Sequence, residues 1–489
     1  MAYRDADKVI SRIGITPVGS AKYRVNRLRF HLLAYAITRK FQLAGKEAAF
    51  FIRCDDTDSS NVNLAFLDSY LEVLFSLGVV PNLTPYDKDS GGFSLFQSKR
   101  GDLYKMFIDR LLESGLAFKD STGAIFFHTE EFSRRFQGLL TDNKLEVEDA
   151  SIGSFAVDIR TPLKEKSGKI GLISFPLVRA NGTYLFSLCS PVDDGVMGIT
   201  HVVRDRDKLD LLSRQEMVRI SLGFPSITYV HVPLLVNQDG KRFVCDEYWG
   251  DATFQDFVAK GIFPKALVSY LLSGFFGPSE KYYSSIEDFA SQINLGRLHQ
   301  SNTVFDESVL KQHNKKALEG SSVLEYETAL KNFLAGDNPV ALDCLKSDSD
   351  MLEMMIRMKR GLSETGDIIH SLSQFLHDDP DIKHIRILNT IITFFLQKES
   401  GMRDHSCANF MLEMATEHAK NLGTSRKEYY KALRYILTGK YQGCDLHEVV
   451  GYLEKKGVVM ARIKATRNEL IKRNLLMESR SHTLSRRLE

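Results

Sequence analysis

The chain has 489 residues, 43% apolar and 26% charged, more than one ordinary hydrophobic core accommodates, so about two to four domains are expected. Its 64 basic and 62 acidic residues leave a net charge of +2, which excludes a chain coated in positive charge and confines any nucleic-acid contact to local patches. Six scattered cysteines, Cys54, Cys189, Cys245, Cys344, Cys407 and Cys444, form no C-x-x-C pair, which excludes a disulfide framework and a structural zinc site. Arg4, Asp5, Asp7 and Lys8 interrupt any signal peptide and no apolar run reaches membrane-span length, so a cytoplasmic, reducing setting without membrane partners is expected.

Residues 9–19 read as a short strand entering a Pro/Gly turn. A helix follows, with Leu28, Leu32, Leu33, Ala36 and Ile37 at helical spacing and an end near Gly45. Residues 48–52 form a buried strand that terminates in Arg53-Cys54-Asp55-Asp56-Thr57-Asp58. Strand, helix and strand make one βαβ unit, whose polar loops lie at the strand ends where such sheets bind ligands. Asp55, Asp56 and Asp58 suit either a hard cation or the N-cap of a helix over 64–76. No EF-hand spacing or glycine follows, so the cap is expected and no metal site.

Residues 97–118 contain an amphipathic helix with Leu103, Phe107, Leu111 and Leu112 inward and Gly115 as its stop, and residues 119–180 mix short strands and turns. Asn181-Gly182 signals a turn. The apolar run after it is short for a helix and predicts a buried strand stopping at Asp193-Asp194-Gly195. A second run, Ile199 to Val203, delivers Arg204 at its end; spacing alone favours a plain hairpin with a charged loop. Leu211 to Leu222 reads as a helix, and Tyr229 to Val236 as a strand leading into a turn at residues 237–240. From about residue 300 helical patterns dominate, including 351–361, whose methionine-rich stripe reads as core, and 427–437. The basic tail, with Arg462, Lys464, Arg467, Lys472, Arg473, Arg486 and Arg487, reads as a solvated face, phosphate contact being the other reading.

Tyr184, Asp193-Asp194, Gly198-Ile199-Thr200-His201 and Arg204 resemble the central segment of bacterial glutamyl-tRNA synthetases, class I aminoacyl-tRNA synthetases. Residues 12–19 are similar to that family's opening strand and turn, and residues 53–58 to its Arg-Ile-Glu-Asp-Thr-Asp signature. Residues 261–272, 431–439 and 443–446 extend the resemblance toward the C-terminus.

The resemblance implies an α/β N-terminal half, a Rossmann-like parallel sheet with an insertion, followed by an all-α C-terminal half. The implied domains are 1–97, the first half of the catalytic domain; 98–190, an insertion of the type that binds the tRNA acceptor end; 191–300, the second half with a connecting region; and 301–489, anticodon-binding-like. It also implies an acidic amino-acid pocket. Arg12 would grip the side-chain carboxylate, Asp55 would hold the amino group one methylene shorter than the family's glutamate, and Tyr184 and Arg204 would face the ligand. Bidentate guanidinium–carboxylate pairing makes both arginines physically apt.

The family's two nucleotide loops are altered. Its first turn, His-x-Gly-His or His-x-Gly-Gly, has no counterpart: no histidine occupies residues 20–30, and no glycine separates Gly19 from Gly45. Lys22, Arg24, Arg27 and Arg29 put four cations there instead; they read as a repurposed, solvated basic face, with a different grip on phosphate as the alternative. The second loop, Lys-x-Ser-Lys in the family, keeps Lys241 and Arg242, while the serine and second lysine positions fall on Val244 and Cys245. One such lost cation costs a transition state roughly 3 kcal/mol, so losing both loops is expected to abolish ordinary adenylation.

Catalytic residues are therefore left unassigned. The favoured reading is a glutamyl-tRNA synthetase-like paralogue that keeps an acidic amino-acid pocket and tRNA binding but is defective in ATP-dependent glutamate activation. The alternatives are an active ligase for glutamate or an analogue, which alone would require ATP and Mg2+, and a non-catalytic interaction protein on the inherited fold.

Overall fold

In the computed structural model the described residues are 8–17, 24–57, 62–87, 94–162, 170–206, 209–244, 251–277 and 280–322, with further stretches between 324 and 472. They fall into two compact units, residues 1–257 with 264–313, and residues 258–263 with 314–489.

The first unit begins with β1 (Lys8–Ile15), α1 (Val25–Leu43) and β2 (Glu47–Cys54), followed by α2 (Leu64–Ser76) and α3 (Gly101–Glu113). The next stretch holds β3 (Ala117–Lys119), β4 (Ile125–Phe127), α4 (Thr129–Arg135), β5 (Leu140–Thr141), β6 (Lys144–Val147), β7 (Phe155–Asp158), β8 (Thr161–Pro162), β9 (Ile170–Gly171) and β10 (Phe175–Val178). Then come α5 (Phe186–Val196), β11 (His201–Asp205), α6 (Leu209–Ser221), β12 (Thr228–Val232), β13 (Leu235–Val236), α7 (Phe254–Ala259), α8 (Pro264–Ser273), α9 (Ile286–Gln292), β14 (Thr303–Val304) and α10 (Glu307–Gly320).

The central sheet is parallel, with strand order β12-β11-β1-β2. The chain leaves β1 in one direction to reach β2 and later returns on the other side through β11 and β12. That reversal makes the crevice between β1 and β11 the topological switch point, where open α/β sheets bind ligands outside the strand carboxyl ends. Ser11 pairs with His201 across this junction, and β1 and β2 stay in register from Lys8–Glu47 to Ile15–Cys54. Segments outside the sheet cover both edges: Leu83 and Phe96 bridge to Phe51 and Cys54 of β2, and Asp149 bridges to Tyr229 of β12. Helix α1 lies over the strands with Leu28, Leu32, Leu33, Ala36 and Ile37 buried, as their spacing predicts.

The insertion between the two halves of the sheet is antiparallel, with orders β10-β4-β3 and β5-β6-β7. Phe127 stacks on Phe175 at 5.0 Å and packs beside Phe132, an aromatic group continuous with the core that includes Ile10 and Val202 of the central sheet.

In the second unit the described residues from 415 onward form helices α11 (Ala415–Asn421), α12 (Arg426–Thr438), α13 (Leu446–Lys455) and α14 (Val459–Lys472). Tyr429, Leu433, Tyr435 and Ile436 of α12 are buried. Thr466 of α14 donates to the Ile436 carbonyl, and Arg462 donates to that of Leu437 at 3.0 Å. Arg462 of the basic tail is thus a packing residue, and burial lowers its pKa to about 10. Residues 351–361, Cys444, Arg473, Arg486 and Arg487 lie outside the described residues.

Three local expectations change. The run after Asn181-Gly182 is helix α5, not a strand. Leu188, Cys189 and Val192 lie at i, i+1 and i+4 and are all buried, a helical period that outweighs the argument from length. Tyr229 to Val236 is two strands, broken after Val232. Asn63 caps α2, accepting from the Phe66 amide at 3.2 Å, while Asp55 bonds to Arg53 and Asp56 accepts from the Ser98 amide at 2.9 Å; Asp58 lies outside the described residues.

Candidate functional site

A cleft of about 330 Å³ opens at the switch point, lined by Arg12, Gly14 and Thr16 of the β1 end, Arg27 and His31 of α1, Asp55, Phe186 of α5, and Arg204 and Asp205 of β11. Three of the four residues expected in an amino-acid pocket, Arg12, Asp55 and Arg204, come together here from β1, the end of β2, and β11. Tyr184 is not among the lining residues; it packs against Tyr104 at 5.3 Å, and Phe30 and Phe186 supply the aromatic lining. Sequence reasoning missed Phe186 because the stretch was read as a strand. On a helix, Phe186, Ser190 and Asp194 repeat every four residues and share one face.

Beneath the cleft lies a buried ionic network. Arg12 donates to both carboxylate oxygens of Asp194, at 2.8 and 2.6 Å, and also reaches Ser190 Oγ. Arg53, fully buried, donates to Asp194 at 2.9 Å and to both oxygens of Asp55, at 2.6 and 3.3 Å. Asp193 lies 3.6 Å from Arg53 and accepts from Arg100, Gln97 and Tyr104. Burial opposes every charge in this set. At Arg53 the three aspartates outweigh it and raise the pKa further above its ordinary value; at Asp194 Arg12 and Arg53 outweigh it and hold the carboxyl below the usual range. At Asp193 burial prevails over Arg53 and Arg100 and pushes the carboxyl up. Gly14 is required by this packing, since a Cβ there would sit 2.2 Å from Asp55 Oδ2.

Arg204 is held differently. It donates to the amide oxygen of Gln215, through both terminal nitrogens at 3.1 Å, and its guanidinium lies 5.7 Å from the Tyr229 ring. Burial lowers its pKa from the ordinary value. His31 bonds to the Tyr70 hydroxyl, and burial, with Arg27 and Arg12 nearby, pushes its imidazole well below its ordinary value, so it is neutral at pH 7.

Described residues of the two altered nucleotide loops meet beside the cleft. Arg24, at the start of α1, donates to the Val244 carbonyl at 3.0 Å and lies 3.8 Å from Asp251, while the Val25 amide donates to Ala252. Asn26, buried, clamps the two segments: its amide nitrogen donates to the carbonyls of Leu235 and Phe243, and its oxygen accepts from the Leu235 amide at 3.0 Å. Phe243 is buried against Phe305, ring centroids 4.3 Å apart. Arg242 pairs with Asp205 at 2.8 Å, and Lys241 is exposed on the turn. Lys22 and Cys245 lie outside the described residues.

Arg29 departs from the expected solvated basic face. It is buried and donates to the carbonyls of Leu271 and Pro233 and to Thr303 Oγ1, bracing α1 against its neighbours. The cavity of about 20 Å³ beside Arg29 and Tyr270 has room for little more than a water molecule. Among the described residues no cluster of three or more metal-ligating side chains exists, and no helix is long and apolar enough to cross a membrane.

The family model described as "tRNA synthetases class I (E and Q), catalytic domain" matches residues 29–131 and 170–312. A glutamate–tRNA ligase 1 of Fervidobacterium nodosum is 24% identical, over 92% of this chain and 97% of its own; that of Pseudothermotoga lettingae is 25% identical, over 93% and 99%. The crystal structure of a glutamate tRNA ligase from Elizabethkingia meningosepticum, in complex with its amino acid, superposes with a TM-score of 0.67 at 19% identity, covering 95% of this chain and 100% of that one. At that identity the superposition establishes the fold.

Proposed function

Since this chain belongs to the class I tRNA synthetases (E and Q) and is glutamyl-tRNA synthetase-like, we propose that its cleft takes an acidic amino acid and that it no longer performs ordinary ATP-dependent glutamate activation. In this reading Arg12, Asp55 and Arg204, all of which line the cleft, form its ligand end, and Tyr184, outside the lining, takes no part. A tRNA-binding role follows from the family, with residues 98–190 serving the acceptor end and 301–489 the anticodon end.

The observation that carries the loss of activation is the Asn26 clamp. In-line attack on a triphosphate needs cations and dipoles held on the phosphates and close approach of the purine to the backbone. Here the start of α1 and the second loop are bonded to each other through Arg24, which donates to Val244, and Asn26, which donates to Phe243. Arg242 is committed to Asp205, and Val244 stands at the serine position.

Exposed Lys241, kept from the family's second loop, favours a second reading, an active ligase for glutamate or an analogue with unusual loops, needing ATP and Mg2+. Glutamate-dependent exchange of pyrophosphate into ATP, with and without bulk tRNA and beside an active synthetase, decides between them. The expected result is no exchange with retained tRNA affinity; exchange with glutamate establishes the active ligase, and loss of tRNA affinity leaves an interaction protein on the inherited fold.

A further inference from the structure

Residues 148–152 of the insertion run along β12 as a further parallel strand. The Tyr229 amide donates to the Glu148 carbonyl at 3.0 Å, the Ala150 amide to that of Tyr229 at 2.8 Å, and Asp149 bridges to Tyr229. A buried side-chain pair closes this joint. Asp149 Oδ1 accepts from the amides of Ser151 and Ile152, at 2.7 and 3.1 Å, and Oδ2 accepts from the His231 amide at 2.9 Å and from its Nδ1 at 2.7 Å. The Ser151 carbonyl accepts from Gln300 at 3.0 Å, and Gln300 accepts from Arg206 at the end of β11.

A carboxylate only accepts, so Nδ1 carries the hydrogen and Nε2 of the neutral ring is an acceptor. Nε2 is buried and meets no hydrogen-bond partner among the described residues. A proton there would bury a donor with nothing to receive it. Its charge would also join those of Arg206 and of Arg204, which pairs with His231 in register across β11 and β12. Around the ring, Asp149 alone favours the proton; Phe155 and Tyr229 pack against it with centroids 5.7 and 5.8 Å away. Burial, with Arg204 and Arg206, outweighs Asp149 and holds the imidazole below its ordinary value. Burial also opposes the Asp149 charge, but the bonds from His231 and Ser151 outweigh it and hold that carboxyl below the usual range. The joint is thus closed by a neutral imidazole on a charged carboxylate, and both contributions are lost in acid, that of His231 first, below pH 6.5.

We propose that Asp149 and His231 form a proton-sensitive latch: a proton on His231 releases residues 148–152 from β12 and loosens the insertion beside Arg204 while the rest of the sheet stays folded. Its operation does not depend on what the cleft binds.

Native-state hydrogen exchange of the full chain between about pH 7.5 and about pH 5, corrected for the intrinsic rate of each amide, tests this. Protection of the Ala150, Tyr229 and His231 amides is expected to fall by about threefold to about thirtyfold. Ile52 and Asn82, whose amides bond to Leu83 and Phe50 at the opposite edge of the sheet, are expected to stay level. His231→Asn keeps an amide donor near the Nδ1 position but takes no proton, so its Ala150 and Tyr229 protection is expected to stay level as well. Equal falls at both edges, no fall at either, or tighter protection in acid overturns the latch, the last because it makes the pair an ordinary ion pair. The same fall in His231→Asn overturns the role of His231. If that variant fails to fold, nitrogen NMR of the imidazole in the unaltered protein decides: a ring carrying its hydrogen on Nδ1 and titrating below 6.5 is expected, and titration at or above 6.5 overturns the latch.

Discussion

The floor of the cleft and the neighbouring loop junction are built from opposite materials. Under the cleft, Arg12, Arg53 and Arg100 are neutralised by three aspartates from the end of β2 and from α5, a set that is costly to bury and is held together only by its own geometry. At the junction, one asparagine, backbone groups and Phe243 close the contact between α1 and the second loop. The difference teaches that ion pairing can keep a ligand site open at its rim, because charges tied beneath it leave Arg27 and Arg204 facing the cleft. Amide and apolar packing instead fills the space it holds together.

The largest expected effect is on the ionic side. Arg53→Met leaves Asp55, Asp193 and Asp194 without their shared cation and is expected to cost about 3–5 kcal/mol in urea unfolding. A loss below that of a junction variant would remove the distinction drawn between the two regions. His201 lies at the start of β11, the strand that carries Arg204, and sharpens the same side through pH. Burial lowers its pKa from 6.5 to about 4, so between those values the unfolded chain binds a proton that the fold refuses. Its contribution is complete above pH 6.5 and is lost as the pH falls toward 4, a span of about 3 kcal/mol. Unfolding midpoints across that range should fall for the native protein and fall less steeply in His201→Gln, the buried His31 and His231 keeping part of the slope.

At the junction, Asn26→Ala strips the partners from the Leu235 amide and carbonyl and is expected to cost about 1–3 kcal/mol, with no gain of pyrophosphate exchange. Recovery of exchange would mean that the clamp alone blocks the nucleotide. The smallest effect is expected at an exposed surface pair: Lys105→Ala breaks the Lys105–Asp109 pair on α3 and should leave the melting temperature unchanged.

Much of the fold was legible. The periods of α1, α2 and α12 and the apolar run of β2 correspond to elements within one or two residues of those expected. Of the site, Arg12, Asp55 and Arg204 could be named because they stand in stretches that resemble the family's; their spacing alone favoured a plain hairpin with a charged loop. Phe186 escaped because a short apolar run containing Pro191 does not declare its period, and Tyr184, two residues earlier, carried the resemblance instead. Arg29 was grouped with Arg24 and Arg27 because a run of cations looks solvated; its burial depends on carbonyls of Pro233 and Leu271, more than 200 positions away.

The sequence by itself determined the local elements, the βαβ unit and the family, since these rest on short-range periods and on contiguous wording. Only the tertiary structure decided which charges are spent and which remain. A guanidinium's availability depends on partners such as Asp194, 182 positions from Arg12, and no local pattern reveals whether such a partner has already claimed it.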